Sequence, residues 1–333
     1  MQTWAHGVII SVQSARVSRA VLLHLTGLCP CSGVIKMRFR KGRWLRVKTD
    51  KRLSAENFMK LVEVFTVNKW EIPNEGAGME SRFNRFCERL CTLDAEEQRL
   101  VIELTRRFTA IGGAEYPQLI LKLMNCLHSQ NLPVFSEVEK VFILPLIAPE
   151  DHGRTKSSSV VWYHCREELI RYSPLLADKN VLYYDIKEAS QIKNLKTNEL
   201  VILVDDFVGS GETTVSAVNW LTDSFGADPK QIVILSIAAL EMGIDHVRQE
   251  IGVEIYAYYI FQKGISDYYS DDQRAGCLKT MKSIENKLKV SSKFRLGYAK
   301  SEALISLIRT PNNTFPVFWK SKDLPSPAPF SRG

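Results

Sequence analysis

The residues best suited to chemistry stand in one string, Glu199–Thr213, which reads ELVILVDDFVGSGET. The apolar run Leu200–Val204 leads to the paired acids Asp205 and Asp206, then to Gly209, Ser210, Gly211, Glu212 and Thr213. Glycines at 209 and 211 permit positive φ and close backbone approach. The N–H groups of residues 209–213 can then converge on a phosphate at the positive end of a following helix. Ser210, Thr213 and Thr214 can add hydroxyl donors to the same anion. Carboxylates just ahead of such a cradle repel phosphate, yet they accept hydrogen bonds from the vicinal hydroxyls of a sugar. A 5-phosphorylated ribose meets both demands at once. The plainer alternative is a strand, an acidic turn and a helix cap, with glycine serving only the bend. No Lys follows Gly211, so the turn is not a Walker loop, and its glycine spacing differs from a dinucleotide fingerprint.

The stretch VILVDDFVGSGET resembles the PRPP-binding motif of type I phosphoribosyltransferases, in which two acidic residues hold the ribose hydroxyls and the turn holds the 5-phosphate. The resemblance covers about residues 139–260 by strand order. It implies Asp205 and Asp206 for ribose and for Mg²⁺ bound with PRPP, and Gly209, Ser210, Gly211, Glu212 and Thr213 for phosphate. In purine-type enzymes the residue three after the second acid is another Asp, which serves the base; here it is Gly209. The family also uses a loop after its first strand to hold pyrophosphate, and the matching segment is Pro149–Ser159, PEDHGRTKSSS. There Arg154 and Lys156 suit phosphate oxygens, Gly153 permits a tight backbone, and Ser157 to Ser159 supply donors ahead of a helix. An ordinary polar loop has a similar composition. His152 reads either as a proton shuttle or as a solvated loop histidine. Asp205, Asp206, Arg154 and Lys156 form the expected catalytic set.

The C-terminal segment Thr310–Lys320, TPNNTFPVFWK, disfavours helix and strand alike and suggests an ordered cap or binding loop. Together with DDFVGSGET it resembles the phosphoribosyltransferase-like effector domains of bacterial conflict and anti-phage systems, including some encoded beside retrons. That resemblance implies antiviral defence, partner proteins of a defence operon, and a helical or winged-helix-like region ahead of the catalytic-type domain. It also makes Asn312, Asn313 and Trp319 candidates for a hood over the nucleobase. The alternative is that Phe315, Phe318 and Trp319 pin the chain end to the core.

Positioning these residues takes a sheet. From about Glu139, short β-rich runs alternate with helical ones: Val141–Ile147, a helix near 159–171, Val181–Tyr184, Leu200–Val204, a helix near 212–224, Ile232–Ile237, a helix near 241–250, and Val253–Tyr259. Apolar runs without strict alternation suit strands covered on both faces, and their alternation with helices predicts an α/β fold with a mostly parallel sheet. Ligands bind such sheets at the carboxyl ends of the strands. Only about 27 residues separate Arg171 from Glu199, and they include a strand, leaving little length for a mobile flap. Residues 37–135 read as a small, basic helical domain: Ser54 can cap a helix, Asp94 and Glu97 have capping-box spacing, and further helices fall near 80–91 and 115–128. The domains expected are an extension at 1–36, helices at 37–135, and a phosphoribosyltransferase-like domain with its cap at 136–333. Residues 1–36 hold no acidic residue and no clear period, and Met37 is an alternative start.

The composition, with 24% charged and 45% hydrophobic residues among 333, suits a soluble globular chain, and no apolar run has the length of a membrane span. Seven irregularly spaced cysteines suggest a reducing, cytoplasmic setting without a zinc ribbon. The net charge of +7 is concentrated at one end. Residues 36–52 hold nine basic residues against one acid, with Phe39 and Trp44 interleaved, a pattern that suits nucleic acid as well as a solvated basic loop. Three functions remain open. One is a phosphoribosyltransferase acting with PRPP or a nucleotide. Another is a nucleic-acid-binding regulator using a non-catalytic pocket as a ligand sensor, and the last is a nucleotide hydrolase.

Overall fold

The computed structural model describes residues 35–38, 44–47, 53–71, 81–324, 326–330 and 332. The basic run at 36–52 enters only through the antiparallel pair β1 (Ile35–Arg38) and β2 (Trp44–Val47); its other residues, and the expected extension up to residue 34, lie outside the described residues.

The frame of the molecule is a five-stranded sheet in the order β5-β4-β6-β7-β8, every neighbouring pair parallel. Its strands are β4 (Lys140–Pro145), β5 (Asn180–Tyr183), β6 (Glu199–Val208), β7 (Ile232–Leu240) and β8 (Glu254–Phe261). All nine residues of β7 are buried, as its unbroken apolar run requires when helices cover both faces. The period of two divides the strand side chains cleanly. Val141, Ile143, Ile202, Val204, Val233 and Leu235 face α4 (Tyr116–Ser129) and α5 (Ser157–His164). Phe142, Leu144, Val201, Leu203 and Ile234 face α6 (Glu212–Phe225) and α7 (Glu241–Ile251).

A second core lies among helices. It combines α1 (Ala55–Val67), α2 (Arg82–Leu90) and α3 (Ala95–Arg106) with α8 (Asp271–Lys287) and the chain end. Ser54 caps α1 by accepting the Asn57 N–H at 3.1 Å, and Glu97 closes the α3 capping box on the Asp94 N–H at 2.8 Å. Phe65, Phe86 and Phe108 share this core with Met281, Ile284, Phe315, Phe318 and Phe330, and the rings of Phe108 and Phe330 stack with centroids 4.5 Å apart. Phe315 and Phe318 thus pin the chain end. This core joins residues from both sides of the boundary expected near 135, whereas α4, expected among the separate helices, packs on the sheet. A two-residue parallel pair, β3 (Thr109–Ala110) with β9 (Ile305–Ser306), ties the start of α4 to the C-terminal segment.

Several elements differ from the sequence reading: the C-terminal segment expected to hold neither helix nor strand carries a short helix at Pro316–Trp319, and the β1–β2 pair lies partly in the region read as helical. The helix expected near 159–171 is two, Ser157–His164 and Glu168–Arg171, because Glu167 adopts an extended N-cap conformation between them. The strand expected at Leu200–Val204 runs on to Val208, since Asp205, Phe207 and Val208 continue the ladder opposite Ser236, Ala238 and Ala239. Helix α8 was not foreseen. Only Met281, Ile284 and Glu285 along it are buried, too sparse a stripe to read. No described helix is long and apolar enough to cross a membrane.

Candidate functional site

At the carboxyl ends of β4 and β6 lies a cavity of about 630 Å³. Its walls are the loop Leu146–Asp151, the start of α5, residues Asp205–Thr214 and the C-terminal loop Ile308–Asn313, with Lys293, Tyr298 and Arg332 completing it. Among the sequence-derived candidates, Asp205, Asp206, Gly209, Ser210, Gly211, Glu212, Thr213, Lys156, Asn312 and Asn313 all line this one space. Arg154 and Trp319 do not.

Because β6 continues through the acidic pair, its pleat sends Asp205 and Asp206 to opposite faces. Asp206 points toward α4 and α5 and is 3% exposed. Its Oδ1 accepts from Ser157 Oγ at 2.7 Å and its Oδ2 from the Tyr116 hydroxyl at 2.9 Å. Asp205 is partly buried, and its Oδ1 accepts the Asp206 N–H at 2.8 Å. Burial raises both carboxyl pKa values, that of Asp205 well above the ordinary carboxylate range with the Asp206 charge adding to the effect. For Asp206 the hydrogen bonds from Ser157 and Tyr116 oppose that rise. Burial likewise drives the Tyr116 phenol upward, so it stays a donor toward Asp206. The same phenolic oxygen accepts the Ile308 N–H at 3.3 Å, linking helix α4, the acidic pair and the C-terminal loop.

The glycine turn works through two different freedoms. Gly211 is the N-cap of α6 and has φ of 85°, a left-handed conformation that suits glycine. Gly209 does not need positive φ; its missing side chain leaves room for the Asn313 side chain, which presses on it. Gly243, in the first turn of α7, completes the contact: a Cβ on Gly211 would stand 2.8 Å from the Gly243 carbonyl oxygen. The first N–H groups of α6 have no intrahelical acceptor and open onto the cavity beside Ser210, Thr213 and the buried Thr214. Asn313 is braced by donating its Nδ2 to Ser301 Oγ at 3.1 Å, and Tyr298 donates its hydroxyl to Glu212 Oε2 at 2.7 Å.

In the loop expected to hold pyrophosphate, Arg154 is 71% exposed and pairs with Asp151 Oδ1 at 3.0 Å, away from the cavity. Lys156 lines the cavity but lies 2.5 Å from Asp151 Oδ2. His152 turns its ring edge onto Trp220 with centroids 4.6 Å apart, and its Nε2 is buried, so it is not a solvated loop histidine. Trp319 donates Nε1–H to the Thr314 carbonyl at 2.7 Å and packs on Phe294, a structural role. No group of three or more His, Cys, Asp or Glu able to hold a metal occurs among the described residues. Two adjacent carboxylates beside a phosphate turn do fit Mg²⁺ in another form, because that ion takes one or two carboxylates and completes its shell with substrate oxygens and water.

Tyr116, Gly243, Lys293, Tyr298, Arg309 and Arg332 line or support the site without having been singled out in the sequence. Gly243 carried a signal, as a glycine inside a helical pattern often marks close backbone approach. Tyr116 carried none, since it sits where an aromatic core residue would. A larger groove of about 710 Å³ between α1, α3 and α8 contains none of these residues.

Among solved structures, the chain is similar to an APRTase from Giardia lamblia complexed with 9-deazaadenine, at 14% identity and a TM-score of 0.28, over 43% of this chain and 80% of that one. It is also similar to a hypoxanthine-guanine-xanthine phosphoribosyltransferase, at 16% identity and a TM-score of 0.23, over 44% of this chain and 75% of that one. No curated protein matches. The profile of the PRTase-CE family matches residues 86–330, a span that holds the sheet, the acidic pair, the glycine turn and the C-terminal loop; the chain belongs to that family.

Proposed function

We propose that the cavity binds a 5-phosphorylated ribose, as PRPP or a nucleotide, and that the protein is a phosphoribosyltransferase-like effector of bacterial anti-phage defence. The observation that carries the binding is the junction of an acidic pair and an α6 N-terminus in one cavity, the two halves of a sugar-phosphate ligand. The defence role rests on the family resemblance alone. The turn Gly209–Thr213, with Thr214, holds the 5-phosphate through N–H groups and hydroxyls. Asp205 and Asp206 hold the ribose hydroxyls and supply the carboxylates for Mg²⁺ that arrives with the ligand. Bound there, the ion would neutralise phosphate charge. Tyr116 and Ser157 fix Asp206 through both of its carboxylate oxygens at the wall of the cavity. In a transfer reaction Lys156 would stabilise the leaving pyrophosphate, with help from the buried Ser158 at the start of α5.

One observation favours a second reading, a ligand sensor without turnover. Asp151 pairs with both cations of the loop expected to hold pyrophosphate, and Glu150 beside it supplies a second negative charge, so that loop presents little net positive charge to a leaving group. Purified protein incubated with PRPP, Mg²⁺ and a panel of bases and nucleotides separates the two. Pyrophosphate release that disappears in Asp206→Ala supports a transferase, and PRPP binding without turnover supports a sensor. Failure to bind any phosphorylated ribose refutes the pocket assignment. The basic residues at 36–52 are proposed as a contact for nucleic acid.

A further inference from the structure

Among the described residues four cations line the cavity: Lys156, Lys293, Arg309 and Arg332. Their charges are not equally compensated. Lys156 is paired with Asp151. Arg309 and Arg332 stand side by side on the C-terminal wall: Arg309 donates Nε–H to the Arg332 carbonyl at 2.7 Å, and Arg332 reaches the Thr310 carbonyl through Nη1 at 3.5 Å. The Arg332 guanidinium lies 5.4 Å from the Trp319 ring centroid. Among the described residues neither arginine has an acidic partner. The carboxylates of the same cavity have other partners among the described residues: Glu150 with Ser216, Asp151 with Arg154 and Lys156, Asp205 with the Asp206 N–H, Asp206 with Tyr116 and Ser157, and Glu212 with Tyr298.

Two guanidinium groups held together without a counter-charge repel each other, and the partial burial of Arg332 deepens the penalty at that residue. Burial, and then the charge of Arg309, pull the Arg332 pKa below its ordinary value. An anion between them relieves both effects, and the planar fork of Arg favours phosphate or carboxylate. Their place is set by Ile308, the residue before Arg309, whose N–H reaches the hydroxyl that also binds Asp206. The loop that carries Arg309 is therefore tied at its start to the acidic pair through Tyr116, while Asn313, at its other end, presses on Gly209 of the phosphate turn.

We infer that the cavity takes a ligand, or ligand pair, with two separated anionic groups: a 5-phosphate on the glycine turn and a second phosphate or carboxylate held by Arg309 and Arg332. This rests on the phosphoribosyl reading of the turn. The second group has three sources: the pyrophosphate of PRPP, a further phosphate on a nucleotide, or the carboxylate of an acidic base. A neutral free base does not supply it. The C-terminal loop is then an anion clamp instead of only the hood over the nucleobase expected of Asn312, Asn313 and Trp319.

Calorimetric titration of the full chain in Mg²⁺ buffer tests this with ribose 5-phosphate, PRPP, adenosine 3′,5′-bisphosphate, and orotate added to protein holding ribose 5-phosphate. At least one of the last three should lose tenfold or more affinity in Arg309→Gln, an exposed position, while ribose 5-phosphate changes less than twofold. The ligand that loses affinity identifies the source. Arg332→Lys, which keeps the charge and loses the fork, should show a smaller loss on the same ligand. If ribose 5-phosphate binds and both variants hold all three others as tightly as the parent chain, the clamp is refuted and the phosphate turn stands. If the parent chain does not bind ribose 5-phosphate, the phosphoribosyl reading fails and the clamp fails with it.

Discussion

Replacing Tyr116 with Phe removes one oxygen atom and tests the link between helix α4 and the acidic pair. The ring stays packed in its buried place on the sheet, so the loss is confined to two hydrogen bonds. One is donated to Asp206 Oδ2 at 2.9 Å and the other accepted from the Ile308 N–H at 3.3 Å. A hydrogen bond to a charged group is worth about 1.5–3 kcal/mol and a neutral one about 0.5–1.5 kcal/mol, and a buried N–H left without an acceptor adds to the cost, so the expected loss is roughly 2–4 kcal/mol at neutral pH. The lost donor also shifts titration. The Tyr116 hydroxyl favours the ionised form of Asp206, so its removal raises a pKa that burial has already raised. Any binding that needs the Asp206 carboxylate should then require a higher pH. Urea unfolding at pH 7 measures the first effect, and Mg²⁺-dependent PRPP binding from pH 5 to 9 measures the second. A stability change under about 0.5 kcal/mol, the level of an ordinary surface substitution, together with an unmoved pH midpoint, would refute the proposed role of Tyr116.

Gly209→Ala should displace the Asn313 side chain, destabilise the fold by about 1–3 kcal/mol as overpacking does, and weaken ribose 5-phosphate binding; calorimetry on the folded variant checks the second effect. Asp205 has a folded pKa raised by burial, so its contribution to stability is fully present below the unfolded carboxylate pKa and is lost as pH rises through the folded value. Asp205→Asn should therefore be more stable than the parent chain at pH 7, with the advantage shrinking toward pH 4, while PRPP affinity in Mg²⁺ falls; denaturant titrations across pH read the sign. Glu285, buried in α8 with its Oε1 accepting the Leu296 N–H at 2.7 Å, has a pKa pushed up to about 7 by burial. Glu285→Gln keeps that acceptor, so its stability gain should be absent below about pH 4.5 and grow to the order of 3 kcal/mol above pH 7. If residues 36–52 contact nucleic acid, affinity should fall steeply with salt, and reversing the charges of Arg38, Arg40 and Arg43 should abolish it; binding indifferent to salt rejects the contact.

The sequence by itself determined the strands of the sheet, the helices that cover them and the place of the glycine turn between strand and helix. These are local properties: apolar runs of strand length, caps such as Ser54 and the Asp94–Glu97 box, and a glycine pair ahead of a helix each act over a few residues. Tertiary structure decided which of the named groups meet. Arg154 looked like a phosphate ligand from its loop, yet Asp151, three residues away, draws it outward. Tyr116 looked like a core aromatic, yet the pleat of β6 turns Asp206 toward it. Arg309 and Arg332 are two basic residues near a chain end until the β3–β9 pair brings that segment back over the carboxyl end of the sheet. The reason is physical: a side chain's partner across the fold is set by packing and pleat parity, which the spacing of residues along a chain does not contain.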